Sequence, residues 1–318
     1  MSFYELVSPV TAAELERLDG ALRVIQFASA LSDADYRLLS EWLRERPGIT
    51  LRVYGSYDGS IANLDFLRWF PNLKRFRVDI YRLDSIDGLE CLPDGVEVLG
   101  LGATKKRFSL KSIGRFRELR ALFLEGHTKD IEVLSDLRAI TDLTLRSITL
   151  SGLELLRPMN RLRALDIKLG GTTNIAALPT LGPIQYLEFW QVRGLSDLSP
   201  IADMTDLEFL FLQSLRRVEK LPSFENSRRL KRIWLETMKG LSDVSTAAAA
   251  PALEHLAVVD MGQLEPEALR PLAARPSLKS VFAALGSAKK NNRAREILGS
   301  LASDRDWTNW DASSYHHQ

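Results

Sequence analysis

An α/β solenoid, a curved stack of short parallel strands with tight turns on its outer side, is the fold the sequence predicts. Three observations predict it: an apolar motif recurring about every 23 residues, a second apolar run at three-residue spacing within each period, and prolines inside that second run. The motif reads Leu119-Arg-Ala-Leu122-Phe-Leu124, then Leu162-Arg-Ala-Leu165-Asp-Ile167, Leu207-Glu-Phe-Leu210-Phe-Leu212 and Leu230-Lys-Arg-Ile233-Trp-Leu235. Further copies start at Leu22, Leu73, Val96, Ile140, Ile184, Leu253 and Leu278, and a degenerate one at Gly48, giving twelve copies at steps of 21 to 26 residues. Self-similarity at such a period is the signature of a repeat architecture.

The elements follow in order. Residues 1 to 21 are expected to cover the first end of the stack. Within them Thr11-Ala-Ala-Glu14 has the spacing of a capping box and predicts a short helix through Leu18. Residues 22 to 285 form the repeats, and each motif is one strand. Between the first two strands, residues 32 to 46 read as a helix with Ala34, Leu38, Leu39 and Trp42 inward. In later units the connection is too short for that. Apolar residues recur at spacing three, as Ile131, Leu134 and Leu137, or Leu215, Val218, Leu221 and Phe224. That spacing fits 3₁₀ turns or short helices with one buried edge, and Pro179, Pro200 and Pro222 argue against long α-helices there. Cys91, beside Leu92 in such a segment, is expected to be a mostly buried structural thiol. Residues 286 to 318 are expected to cover the far end. They contain a helix over 291 to 301 with Ala294, Ile297, Leu298 and Leu301 on one face, then Trp307 and Trp310 as lids over the last leucine layer, and a frayed tail from Tyr315 in which His316 and His317 are tail composition.

A lone unit cannot bury its apolar face, so neighbouring units must stack into one core. One continuous repeat domain is the expectation.

The pattern resembles the leucine-rich repeat family, closest to the bacterial internalin-like class, as in Leu195-Ser-Asp-Leu198-Ser-Pro-Ile201-Ala-Asp-Met204-Thr-Asp-Leu207. The resemblance covers roughly residues 22 to 285. It implies a leucine-rich repeat solenoid with a parallel sheet on the concave face and short helices or 3₁₀ turns on the convex face. One departure stands out. The slot three residues past the third leucine, commonly Asn in the family, holds His127, Ile148, Gly170, Val192, Leu215, Met238 and Met261, among others, and never Asn. Apolar packing is expected in place of an Asn ladder, with a looser or differently angled turn.

Composition bounds the function. Forty-two Lys and Arg against 41 Asp and Glu give a net charge of +1, which disfavours a chain that coats nucleic acid or anionic membrane. A single cysteine excludes an internal disulfide and a cysteine-built metal site. The opening residues lack a signal-peptide pattern, and no apolar run is long enough to span a membrane. Together with the absence of an internalin-type secretion signal and wall anchor, this leads to the expectation of a cytoplasmic bacterial protein.

Strand side chains alternate, so the residues between the leucines point to the opposite face of the sheet. There the aromatics cluster: Tyr186, Trp190, Phe209, Phe211 and Trp234 come from three consecutive units, with Arg232, His255 and Glu188 among them. Aromatics with Arg have the composition of a binding hot spot. These eight residues are the candidate partner-binding site, with Asp166, Lys168, Arg146 and Glu236 as a mixed-charge rim. The alternative for the rings is packing on each other or under a terminal segment.

The expected function is a non-enzymatic protein–protein interaction module docking its partner on the concave face, in a specific form an inhibitor or immunity protein. Two alternatives remain: an enzyme or small-ligand receptor using the concave acids Asp166, Glu188 and Glu236, and nucleic-acid binding through the basic run 105–120. Gly100-Leu-Gly102-Ala-Thr-Lys105-Lys106 lacks the spacing of a phosphate loop. No catalytic residue, metal or cofactor is assigned, and the sequence sets no oligomeric state.

Overall fold

The computed structural model describes residues 3–18, 20–304 and 310–316. The chain divides into two compact units, one running to Thr141 and the other Asp142–His316.

In the first unit, strands β1 (Phe3–Glu5), β2 (Val24–Phe27), β3 (Thr50–Tyr54), β4 (Arg75–Asp79), β5 (Val98–Leu101) and β6 (Ala121–Glu125) lie side by side in chain order, all parallel. The short helix α1 (Ala12–Glu16) begins at the predicted capping box, in which the Thr11 and Glu14 side chains each accept the other's backbone N–H. Helix α2 (Asp33–Arg44) has the same device at Ser32 and Asp35. Its inward face is Tyr36, Leu39, Trp42 and Leu43. Ala34 is exposed and Leu38 only half-buried, because the buried stripe runs one residue later than expected. Tyr36 packs with Phe27, Phe66 and Phe70 in an aromatic cluster, its ring 5.5 Å from that of Phe66.

The second unit holds β7 (Asp142–Arg146), β8 (Ala164–Lys168), β9 (Tyr186–Trp190), β10 (Phe209–Gln213), β11 (Arg232–Glu236), β12 (His255–Val259) and β13 (Ser280–Ala284), again parallel and in chain order. Helix α3 (Arg270–Ala273) belongs to the last connection, and α4 (Ala288–Leu298) follows β13. α4 buries Ala294 and Leu298, leaves Ile297 and Leu301 half-buried, and starts three residues earlier than the sequence suggests, where Ser287 accepts from the Lys290 N–H.

Every strand from β2 to β13 begins at the third residue of a predicted motif, and within each unit the registers join third to third and fifth to fifth, as in Phe209↔Arg232 and Phe211↔Trp234. The leucines therefore stack into layers: Leu165, Leu187, Leu210, Ile233 and Leu256 are all inaccessible. β1 is a thirteenth strand that the motif does not include; it pairs Phe3, Tyr4 and Glu5 with Val24, Ile25 and Gln26.

Most of the connections carry 3₁₀ turns, such as Ser199–Asp203 and Ser245–Ala249. Several open on a short side chain accepting from the backbone two residues on: Asn63, Asp197 and Asp243 bond the N–H of Asp65, Ser199 and Ser245. Such local bonds favour a turn over a continuing helix. Cys91 ends one of these turns and is exposed, contrary to expectation. Ile86, Leu89 and Leu92 hold the buried edge at spacing three, and residue 91 falls off that period.

After strands β7 to β12 the turn is more closely defined than the missing asparagines suggest. The residue after the seventh position adopts left-handed backbone, at φ of 52 to 56° for Ser147, Leu169, Gln191, Ser214, Thr237 and Asp260. For five of these its N–H then bonds the seventh carbonyl of the next strand: Ser147 to Lys168, Leu169 to Trp190, Gln191 to Gln213, Ser214 to Glu236 and Thr237 to Val259, at 2.8–2.9 Å. A backbone ladder thus stands where an Asn ladder would, and the following slot is given to buried Ile148, Val192, Leu215, Met238 and Met261.

Candidate protein-binding face

The eight candidate residues all lie on one face of the second unit. In β9, Leu187 and Phe189 enter the leucine core, which sends Tyr186, Glu188 and Trp190 to the other side. β10 does the same with Phe209 and Phe211, and β11 with Arg232 and Trp234. Because the strands are in register, Tyr186 meets Phe209 edge to face at 5.2 Å and Phe211 stacks on Trp234 at 5.6 Å. Trp190 carries the Arg146 guanidinium 5.2 Å above its ring.

The rings are brought together, but the patch is not open. Tyr186, Phe209 and Trp234 are 3%, 1% and 2% exposed, and with Ala164 and Ala257 they form a second apolar core on the sheet face opposite the leucines. Its cover is the C-terminal segment. Trp310 packs edge to face on Trp234 at 5.1 Å and lies 6.1 and 6.2 Å from Phe209 and His255. Tyr315 stacks on Tyr186 at 5.7 Å and donates its hydroxyl to Glu208 at 3.3 Å. Trp310 is thus no lid over the last leucine layer, and Tyr315 and His316 are no frayed end. Trp307 and His317 lie outside the described residues. The segment is held as a compact turn: Asp311 accepts from the Ser313 N–H, and Tyr315 N–H bonds the Ala312 carbonyl. Trp190, Phe211, Arg232 and His255 remain partly accessible.

Beside the rings sits a buried charge cluster. Asp142 and Asp166 are 2% and 1% exposed, and Glu188 is 8%. Lys168 Nζ lies 2.9 Å from Asp166 and 3.0 Å from Glu188. Tyr186 donates to Glu188 at 2.8 Å. His316 reaches into the cluster from the covering segment, Nδ1 3.1 Å from Asp142 and Nε2 3.7 Å from Asp166. Three carboxylates therefore face two cationic side chains. Burial, then the neighbouring Asp166, push the Glu188 carboxyl up to about 7 against the pull of Lys168. Burial disfavours charge on His316, but the hydrogen bond to Asp142 and the charges of Asp166 and Asp142 outweigh it and hold its pKa above the usual value. Lys168 is likewise raised, Asp166 and Glu188 outweighing its burial.

Asp142, Asp166 and His316 offer ligand atoms within 4.8 Å of one another, a spacing a cation could span. The two imidazole nitrogens, however, face different carboxylates, and Lys168 already sits on Asp166. The arrangement is that of a protonated imidazole bridging two acids.

The other expected features lie elsewhere. Glu236 accepts from Trp234 and Gln213, each at 2.9 Å. In the basic run, Lys106 is paired with Asp84, Arg115 with Asp94, and Arg117 donates to the Asp136 carbonyl. His127 fills the ladder slot of its unit, buried, with Nε2 3.0 Å from the Gly102 carbonyl; burial lowers its pKa.

No protein-family profile matches the chain, and no curated protein matches it in sequence. Solved structures do. An internalin, InlF, of Listeria monocytogenes superposes with TM-score 0.50 at 16% identity, covering 93% of this chain and 90% of that one. A leucine-rich repeat protein of Leptospira interrogans gives TM-score 0.56 at 14% identity over 89% and 72%. TLR13, in its complex with ssRNA13, gives 0.52 at 13% identity over 95% of this chain and 53% of that one. The fold is a leucine-rich repeat solenoid of the kind internalins have. Among the described residues, no helix is long and apolar enough to cross a membrane.

Proposed function

We propose that the chain is a protein-binding module that engages its partner on the concave face of the second unit. Solenoids of this kind present an extended face for recognition. The observation that carries the reading is the aromatic content of that face. The repeat requires apolar residues only on the leucine side, yet Tyr186, Trp190, Phe209, Phe211 and Trp234 crowd the other side within three strands. The accessible part on which a partner would first land is Trp190 with Arg146, Phe211 and the half-buried Arg232 and His255. An inhibitor or immunity protein acting on one toxin or enzyme is the specific form proposed, in the cytoplasm of a bacterium. The acids of the enzymatic alternative are engaged: Asp166 and Glu188 with Lys168, and Glu236 with Trp234 and Gln213.

The test is capture of partners from the native organism with the wild-type chain and with a Trp190→Ala/Phe211→Ala variant. The expected result is one polypeptide retained by the wild type and lost from a variant whose circular dichroism is that of the folded wild type. Identical captured sets would count against this face.

A further inference from the structure

The segment 310–316 sits on the concave face as a bound peptide would. It places an indole among Phe209, Trp234 and His255, a phenol ring on Tyr186, and a cationic imidazole between two buried aspartates. Each contact is made by a side chain of the segment to side chains of the sheet face, and the three fall along neighbouring strands in the reverse of their chain order. The receiving face is built for them in advance. The aromatic residues sit at registered third and fifth positions of consecutive strands, and three buried carboxylates converge beside them, with Lys168 bridging Asp166 and Glu188, Tyr186 donating to Glu188 and Thr144 to Asp166. Three buried acids in one cluster favour a cationic side chain, the place His316 takes between Asp142 and Asp166.

We propose that this face of the second unit is a peptide-reading groove, that residues 310–316 are its intramolecular occupant, and that its partner is a polypeptide segment carrying an indole, an aromatic ring five residues further on and a cation directly after it. The inference deepens the protein-binding reading and rests on it. The partner binds by displacing the chain's own segment, which otherwise acts as a built-in competitor. A covalently attached occupant acts at about millimolar effective concentration, so only a ligand that makes the same contacts with better complementarity enters. The charge match fixes direction as well as composition: the cation must lie at the β7–β8 end and the indole at the β11–β12 end, because Asp142 and Asp166 stand on the first pair and Trp234 and His255 on the second.

The experiment uses the full chain and a fluorescent synthetic peptide of residues 308–318 as probe. In the variant Trp310→Ala/Tyr315→Ala/His316→Ala the groove is emptied while the leucine layers are untouched, and its circular dichroism is compared with that of the wild type. The emptied variant should bind the peptide, with the wild type at least tenfold weaker because its own segment competes. A peptide with Trp310→Ala, and one with His316→Glu, should each bind the emptied variant at least tenfold more weakly, whereas His316→Lys should retain binding. Equal affinity of wild type and emptied variant, or no binding to a natively folded emptied variant, would overturn the proposal. Should the triple variant not fold, the single change His316→Glu in the full chain serves instead. It should open the groove to the peptide, and unchanged affinity overturns the proposal. Light scattering closes the set: a wild-type dimer that dissociates in the emptied variant would place the segment in a second copy and overturn intramolecular occupancy. Peptide binding without loss of a partner in the Trp190→Ala/Phe211→Ala capture fails the functional reading alone. Partner capture without peptide binding fails the groove alone.

Discussion

Trp234 shows how one residue's role is divided between a strand and a distant segment. Alternation sends its ring away from the leucine core, and from the sequence alone it would be a surface aromatic whose loss costs little stability. Trp310 and Phe211 enclose it instead. Trp234→Ala should therefore cost about 3 kcal/mol in chemical denaturation, the range of a buried indole and comparable to Leu235→Ala, while Trp190→Ala on the same face should cost about 0.5 kcal/mol. Equal small losses at both would show that residues 310–316 do not cover the ring. His316 gives the matching pH test. Its pKa is raised by contact with Asp142 and Asp166, and that of Glu188 is raised to about 7 by burial. For His316 the covered state binds the proton more tightly than a free histidine, so its contribution to cover is complete below about 6.5 and is lost as the pH rises through the raised value. The contribution of Glu188 to folding is complete only below the free carboxylate value and is lost as the pH rises towards about 7. The His316 ring resonances followed by NMR should titrate above the free value, and Asp142→Asn should bring the midpoint down. A midpoint unmoved by that substitution would remove the contact.

At the scale of the element, what could be read from the sequence is what is periodic. Strands β2 to β13 and their register follow from the leucine spacing, because each third position repeats the same environment, and the 3₁₀ turns follow from apolar residues three apart. β1 escaped because Phe3-Tyr4-Glu5 has no motif, and Trp310 to His316 escaped because their partners are more than 50 residues away. The left-handed turns escaped because the family's Asn is replaced by a backbone ladder that leaves no side-chain signature. Gly170 tests that ladder. A Cβ there would meet the Ile148 carbonyl oxygen at 2.1 Å, so the backbone of one turn lies directly on the next. Gly170→Ala should cost about 2–3 kcal/mol, as overpacking does, measured by thermal or urea unfolding. A neutral outcome would mean that these turns are not in contact. Asp35 ties a different element. It accepts from the Val10 N–H at 2.9 Å and from Ser8 and the Ser32 N–H. Burial alone would raise its pKa, but these bonds outweigh it and lower it. The stability it contributes is present above the unfolded carboxylate value of about 3.9 and is lost as pH falls through the lower folded value, opposite in direction to His316.

For the whole molecule, the sequence period runs without a break from residue 22 to residue 278, and stability in a repeat stack is carried by interfaces between neighbours and by covers at its ends. Residues 1 to 21 are proposed as the first cover. They supply β1, which pairs with β2, and α1, whose Leu15 is buried, while Asp35 holds Val10 against the start of α2. Removing them takes away the partner of β2 and leaves its N–H and C=O groups as an exposed edge, a template for another chain. The leucine layer beneath, Ile25 and Phe27, is inaccessible in the intact chain and would meet water. A chain lacking residues 1 to 21 should melt several degrees lower and show concentration-dependent association by light scattering, with the loss concentrated in amide-exchange protection of β2 and β3. The second unit's tryptophan contacts should be unchanged, so a peptide affinity equal to that of the intact chain is the internal control. A truncated chain that stays monomeric with β2 fully protected would mean that the strand edge needs no cover, and residues 1 to 21 would then be an appendage to the stack.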